Sequence, residues 1–495
     1  MNPKTNPDTP APAATNGWVQ KCDLDEYLGR HLPIPTQVVS NEEYYPLPQT
    51  RAQKAVEHHL IEMAGRGAKR LGVDRRQFLG SACGMATAFA AMNKVFGGYF
   101  RVEAAEMMEP AAAAQSKPDY FIFDVQTHHV KANYQNPLLF EFRRGARAMN
   151  PALRDREPKA DDLYLENYIK EVFLDSDTDV AAISGVPAAT EDENILPADQ
   201  MAGTRDLLNR LSRSRRMVTH GLLTPDLGTK GREAMHQQTE KLKIEAWKGY
   251  TGLGLGADKE GWWADDEKIA YPSFEYSRKL KVKNICLHKG LALGLFNEAH
   301  CHPRDLVKVS RDFPDLNFLT YHSGFKSLQE ALPAAADGFR KNPSVPWVSE
   351  LCETRKKNPH MKNVYMELGS TFGMMAITHP QLCCHVLGMI IDAFGSDHVL
   401  WGTDSIWWGS PQWQIEALVR LEMPEELMKR FGYKPLTTEV KRQIFGLNAA
   451  RVYGVDPKAK RNAMPGDYID QLRKLYRQAG RPRPSNTQYG WVAAG

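Results

Sequence analysis

The 495-residue chain is short of cysteine, of net charge and of long apolar runs, and each shortage removes a class of protein. Its seven cysteines (Cys22, Cys83, Cys286, Cys301, Cys352, Cys383, Cys384) are odd in number and include no C-x-x-C pair. That pattern excludes a disulfide framework and argues against a structural zinc or dithiol site. Cys383 and Cys384 fall in the apolar stretch QLCCHVLGMII and read as buried helix packing, since an unpaired thiol behaves as a small hydrophobe. The formal net charge is only +4, and basic residues are matched by acidic ones along most of the chain, so no nucleic-acid footprint is present. The one N-terminal apolar run is too short and too rich in Gly and Ala for a membrane helix, so no stable span is expected. The GLGLG at 252–256 lacks the G-x-G-x-x-G spacing and the following helix of a dinucleotide loop.

What is present is ordinary soluble usage, 42% hydrophobic and 25% charged, at a length that suits one large barrel plus extra segments. Residues 1–70 form an N-terminal extension whose first 16 residues, rich in Pro, Ala, Thr and Asn, are expected to be disordered. Within it, RAQKAVEHHLIEMAGRGAKRL predicts a helix. Residues 71–117 hold Arg75-Arg76-Gln77-Phe78-Leu79 followed by GSACGMATAFAAMNKVFGG, a Tat-like twin-arginine signal ending near VEAAE, with AAAAQSKP as a linker. Export to the periplasm through Tat is the expected localisation. The alternative is a small-residue helix kept in a cytoplasmic protein, because about seventy residues precede the motif.

From Pro118 onward short apolar runs alternate with helical patterns, the signature of repeated βαβ units. Eight runs qualify as strands: YFIFDVQ, DVAAIS, RMVTHGLL, IEAWKGY, KNICLH, NFLTYH, NVYMELG and HVLWGTD. The predicted fold is an α/β (β/α)₈ TIM barrel over residues 118–456, with a tail at 457–495. The runs stay apolar until their last positions, then end in Gln126 and His128, His220, Lys248, His288, His322, Glu367 and Asp404. In such a barrel those ends converge on one mouth, where catalytic groups sit. Neutral imidazoles and a carboxylate brought together from different strands are ligands for a divalent metal, which acidifies water or polarises a carbonyl.

Several segments resemble the amidohydrolase superfamily, in the amidohydrolase-related branch that contains aminocarboxymuconate-semialdehyde decarboxylase. FDVQTHHV resembles its opening D-x-H-x-H strand, and ICLHKG, PDLNFLTYHSGF, VLWGTDSIW and IFGLNAARVYGV follow in family order, over about two-thirds of the chain. The resemblance implies metal ligands at His128, His288 and Asp404, an acid–base role for His322, and proton handling by Asp404. Gln126 stands where the family has His or Glu. A glutamine oxygen binds zinc less well than imidazole does, so the expected ion is Zn²⁺, with Mn²⁺ or Mg²⁺ as the alternatives and loss of the metal as the third outcome.

Around this set, Lys248, Glu367, Arg143 and Trp407 are candidates for holding substrate, with His220, Arg144, Trp408 and Trp413 behind them. His129, next to His128 on a strand, is expected to face the opposite way. The Gly-rich segment around Trp262 and Trp263 has the composition of a lid. The expected function is a metal-dependent hydrolase of a small organic acid, lactone or amide. A non-oxidative decarboxylase or hydratase of an aromatic or unsaturated acid is the first alternative, and a metal-free exported binding protein the second. The expected partners are a small-molecule substrate and a second copy in a homodimer.

Overall fold

The computed structural model describes residues 17–28, 31–40, 42, 46–115, 118–132, 139–140, 143–145, 148, 159–188, 193–257, 259–292, 294, 296–457, 467–479 and 490–493. The disorder expected of residues 1–16 lies outside the described residues.

All eight expected strands are present and parallel. They are β1 (Phe123–Thr127), β2 (Val180–Ile183), β3 (Met217–Leu223), β4 (Ala246–Tyr250), β5 (Asn284–His288), β6 (Asn317–Tyr321), β7 (Val364–Glu367) and β8 (Val399–Leu400), hydrogen-bonded in chain order. The barrel closes where the chain after β8 runs beside β1: Val125 N donates to Trp401 O (2.9 Å), Asp404 N to Gln126 O (2.9 Å) and His128 N to Ser405 O (2.6 Å).

Two apolar layers follow from strand alternation. Inside the barrel sit Phe123, Val125, Val180, Ala182, Val218, Ala246, Cys286, Leu319 and Leu400, floored by Tyr453. The other face of the strands packs under the surrounding helices, which include Ala198–Ser212, Thr229–Leu242, Tyr271–Leu280, Leu306–Asp312 and Pro380–Phe394. Residues of β1 would alternate in the same way, but the register slips between Asp124 and Thr127, so two residues on β1 answer one on β2. Such a bulge re-aims side chains. Here it turns Gln126 and His128 inward, while Thr127 faces outward to bond Tyr168 Oη at 2.7 Å and Ala182 O at 2.7 Å. His129 also faces outward, bonding Thr204 Oγ1 at 2.9 Å.

The N-terminal extension folds as helices α1 (Arg51–Leu71), α2 (Arg75–Leu79) and α3 (Ala82–Phe96). The stretch expected as a linker contributes a further short helix, Pro110–Gln115. After α3 the chain joins the barrel beside α4 (Gln412–Arg420): Arg101 N donates to Arg420 O (2.9 Å) and Glu422 N to Tyr99 O (2.8 Å). Arg420 itself bonds Glu106 at 2.7 Å and Glu416 at 3.3 Å, all three side chains being buried. In the tail, helix Tyr468–Gln478 lies by the barrel, where Asp467 holds Arg216 at 2.6 Å, and Trp491–Ala493 pairs antiparallel with Trp18–Gln20.

Removing one partner of a buried ion network leaves uncompensated charge. Arg420→Ala should therefore lower unfolding free energy by about 3–5 kcal/mol, read as a downward shift in the denaturant midpoint. An unchanged midpoint would show that the extension is not energetically part of the barrel.

Candidate active site

The strand ends bring Gln126, His128, Lys248, His288, His322, Glu367 and Asp404 into one polar cluster, each residue 2% exposed or less. Two histidines have a nitrogen committed to a main-chain carbonyl. His128 Nδ1 lies 2.8 Å from Ser184 O, and His288 Nε2 lies 3.3 Å from Leu291 O. A carbonyl only accepts, so those nitrogens carry the protons and the lone pairs fall on His128 Nε2 and His288 Nδ1. This is how metal-ligating imidazoles are usually oriented.

His128 Nε2 stands 3.0 Å from Asp404 Oδ1, which also takes a bond from Gln126 Nε2 at 2.8 Å. The other Asp404 oxygen accepts from Ser370 Oγ, which in turn accepts from Trp408 Nε1 at 3.0 Å. An imidazole lone pair facing a carboxylate at that distance repels it unless a proton or cation is shared. His322 Nε2 meets His288 Nδ1 at 3.2 Å, so the proton of that contact belongs to His322. That leaves His322 Nδ1 buried without a hydrogen-bond partner, as is Gln126 Oε1. The donor chemistry of two unprotonated imidazoles and one carboxylate fits a divalent cation. As placed, however, His128 faces Asp404 and His288 faces His322, and no three His, Cys, Asp or Glu side chains among the described residues close round one point.

Burial sets the charge states. It lowers His322 to about 3, with Lys248 and His128 adding to the effect against Asp404. His288 is likewise held well below its ordinary value by burial, then by His322 and Lys248. Burial works to raise Asp404, but the hydrogen bond and charge of His128, with His322 and Ser370, prevail and hold it at about 2. His288 and His322 are thus neutral beside the ionised carboxylate of Asp404.

His322 and Asp404 both have left-handed backbone, with φ of 63° and 61°. Each such residue costs about 1–3 kcal/mol and persists only where its surroundings fix it. Glu367 does this for His322, accepting His322 N at 3.0 Å on Oε2 and Gly369 N at 2.6 Å on Oε1, while Thr371 Oγ1 donates to His322 O at 2.8 Å. Glu367 has room only because residue 402 is glycine: a Cβ there would stand 1.7 Å from Glu367 Oε1. Lys248 Nζ sits 3.6 Å over the Tyr321 ring and 4.7 Å from that of Tyr250. His220 lies deeper, between Ser184 Oγ (3.2 Å) and Tyr453 Oη (2.9 Å). Trp407 is tilted against His128, with centroids 5.9 Å apart.

Arg143 is not brought to the cluster. Its guanidinium is bound to Glu42 at 3.0 Å and, through both terminal nitrogens, to Asp162 at 3.2 Å. The segment expected as a lid is anchored at its return: Trp263 packs against His300, with the Arg304 guanidinium 3.8 Å over its ring, and Ala264 N donates to Asp305 at 2.7 Å. Sequence reasoning passed over three contributors. Ser370 and Ser184 act through a hydroxyl and a carbonyl that no spacing announces. Asp124 could have been found as a lone carboxylate in an apolar run.

The sequence model of the amidohydrolase family matches residues 234–455. No curated protein matches the chain. Among solved structures, 2,6-dihydroxybenzoate decarboxylase from Rhizobium is similar at 14% identity, covering 68% of this chain and 100% of that one, with a TM-score of 0.39. The 5-carboxyvanillate decarboxylase from Sphingomonas paucimobilis is 13% identical over 68% and 100%, with a TM-score of 0.41. A dihydroxybenzoic acid decarboxylase from Polaromonas, with bound manganese, is 14% identical over 68% and 98%, with a TM-score of 0.38.

Two outcomes are expected from this geometry. Gly402→Ala should drive Glu367 from its place and destabilise the protein by about 1–3 kcal/mol, with loss of His322 positioning visible as broadened imidazole NMR signals. Acid should also withdraw the stability that two buried neutral histidines contribute. Burial lowers His129 from 6.5 to about 4, so the unfolded chain binds the extra proton between those values and stability falls as pH drops through that window. His220, lowered to about 3, acts in the same direction. Because raised carboxyls such as Asp124 act in the opposite direction, the check is His129→Asn, whose melting temperature should fall less from pH 6.5 to 4 than that of the wild type; an equal fall would contradict a neutral buried His129.

Proposed function

We propose, for an enzyme whose barrel belongs to the amidohydrolase family through residues 234–455, that it hydrolyses a small organic acid, lactone or amide at the barrel mouth. The observation that carries this reading is the pair of carbonyl-fixed imidazoles, His128 and His288, whose lone pairs are left for the cluster that holds Asp404. His128, His288 and Asp404 would hold a divalent cation, with the oxygen of Gln126 able to turn towards it. Zinc is the expected ion, and manganese or magnesium are the ions an amide oxygen suits better. When bound, the cation supplies charge that polarises a carbonyl and acidifies water.

The remaining work falls to the side chains. Asp404, ionised at neutral pH, accepts the proton that water loses as it adds to the carbonyl carbon. His322, neutral and with Nδ1 open, carries that proton to the departing oxygen or nitrogen as the carbon–heteroatom bond breaks. Lys248 is the buried cation that can receive a substrate carboxylate, and Trp407 offers an aromatic wall beside His128. Arg143, already bound to two carboxylates, takes no part in this scheme.

Non-oxidative decarboxylation is the second reading, favoured by the complete burial of Lys248, His322 and Glu367. A carboxylate stripped of water by such a site is raised in energy relative to carbon dioxide.

A screen of aromatic acids, lactones and amides on metal-loaded protein, read by mass spectrometry, separates the two. A gain of one water supports hydrolysis, and a loss of carbon dioxide supports decarboxylation. His322→Asn should reduce kcat by about 10²–10⁴-fold with metal content unchanged. His288→Ala should lose both metal and turnover. Undiminished turnover in His288→Ala would overturn the assignment of the site.

A further inference from the structure

In sequence the twin-arginine segment has the look of a leader, yet in the structure the fold uses it. Gln77 completes a capping box with Asp74, donating from its backbone to Asp74 Oδ1 at 2.8 Å and accepting from Asp74 N at 3.2 Å. The Phe78 ring fills a notch on α1 that exists because residue 67 is glycine, where a Cβ would lie 2.4 Å from the ring. Leu79 is buried, and the small apolar run that follows becomes α3, which buries Cys83, Ala88, Phe89 and Met92 against α1 and the chain leading to Glu106. That chain then enters the buried network of Arg420. Of the motif's five residues, Phe78 and Leu79 are buried, while Arg75, Arg76 and Gln77 face solvent.

These two arginines belong to a cationic elbow. Residues 66–76 carry Arg66, Lys69, Arg70, Arg75 and Arg76 against the single carboxylate of Asp74, a net +4 that equals the formal charge of the entire chain. Arg66 pairs with Glu62 at 2.6 Å and Arg70 leans on Met108 Sδ at 3.0 Å. Lys69, Arg75 and Arg76 form no ion pair among the described residues. Four large apolar side chains are exposed among those residues, and two of them, Val73 (40%) and Met108 (38%), sit in this elbow. Cations ringing exposed apolar groups suit the surface of an anionic bilayer, where charge meets headgroups and the apolar tips enter the interface. Among the described residues no helix is long and apolar enough to cross a membrane.

We propose that residues 51–107 stay in the folded enzyme and that the elbow at 66–76 docks it on an anionic lipid surface. An acidic protein would satisfy the arginines but gives no reason for the exposed Val73 and Met108. The inference does not depend on which reaction the barrel performs.

The test uses the full chain and vesicles of phosphatidylcholine, alone or mixed equally with phosphatidylglycerol. The protein should co-sediment only with the anionic vesicles and be released by about 0.5 M salt, which shortens screening to a few ångströms. Arg75→Glu with Arg76→Glu, both on exposed positions, should keep the wild-type melting temperature and weaken binding at least about tenfold. Val73→Ser should weaken it by a smaller factor at unchanged salt dependence. Intact mass of the protein from its native host should include residues 51–107. Cleavage near Ala104 or Ala105, wild-type protein that ignores anionic vesicles, or a double variant that binds as well as wild type would each overturn the proposal. Capture by an acidic protein without vesicle binding would overturn it too.

Discussion

The site depends on how the barrel is closed, and the closure turns on one carboxylate. Asp124 lies wholly inside the seam between β1 and the chain after β8. One of its oxygens accepts Gln126 N and Thr403 N, each at 3.1 Å, and the other accepts the Thr403 hydroxyl. It therefore binds both sides of the seam at the level where Gln126 and His128 leave one strand and Asp404 and Ser405 leave the other. Burial, opposed by those hydrogen bonds, raises its pKa to about 7. A buried carboxyl kept there is costly unless its bonds are met, and here they are met by the backbone it must position. The contact of His128 with Asp404 is thus a consequence of the seam, not an independent pairing of two side chains.

Above the seam the polar groups are arranged so that few carry charge. Placing several ions together in a low-dielectric interior costs many kcal/mol, and burial offsets this by keeping His220, His288 and His322 neutral. Lys248 rests over the Tyr321 ring, within electrostatic reach of Glu367. Glu367 spends both oxygens on backbone N–H groups, so it shapes the turn that holds His322. Such a site is poised to accept charge from outside. A cation would be stabilised beside Asp404, and an anion beside Lys248.

The eight strands were legible because short apolar runs alternating with helical patterns carry their own signal, and because polar residues at strand ends stand out against such runs. Helix 51–71 was legible for the same reason, its apolar residues recurring at helical spacing. Pairing was not legible. Nothing in the order of residues says that Arg143 would find Glu42, 101 positions earlier, or that Ser370 would reach Asp404. The bulge in β1 was also hidden, since it appears only when β1 is laid beside β2. Without it Gln126 and His128 would not share the inward side with Phe123 and Val125. In the twin-arginine segment, composition alone described a leader, and only packing showed that Gln77, Phe78 and Leu79 are each used by the fold.

The extension and the site meet in α4. At one end of that helix Arg420 is gripped by Glu106 and by the backbone of Arg101. Nearer its start, Gln414 donates to Thr403 O at 3.2 Å, and Trp413 packs edge-on against Trp408, whose indole holds Ser370 against Asp404. This 9-residue helix thus carries buried contacts to the extension at one end and to Thr403 and, through Trp408, Ser370 at the other. The N-terminal helices are therefore joined to Asp404 by a run of packed and hydrogen-bonded groups without touching it. That gives a physical reason for the extension and the barrel to share one chain: the extension packs onto the helix that braces the strand end carrying Asp404.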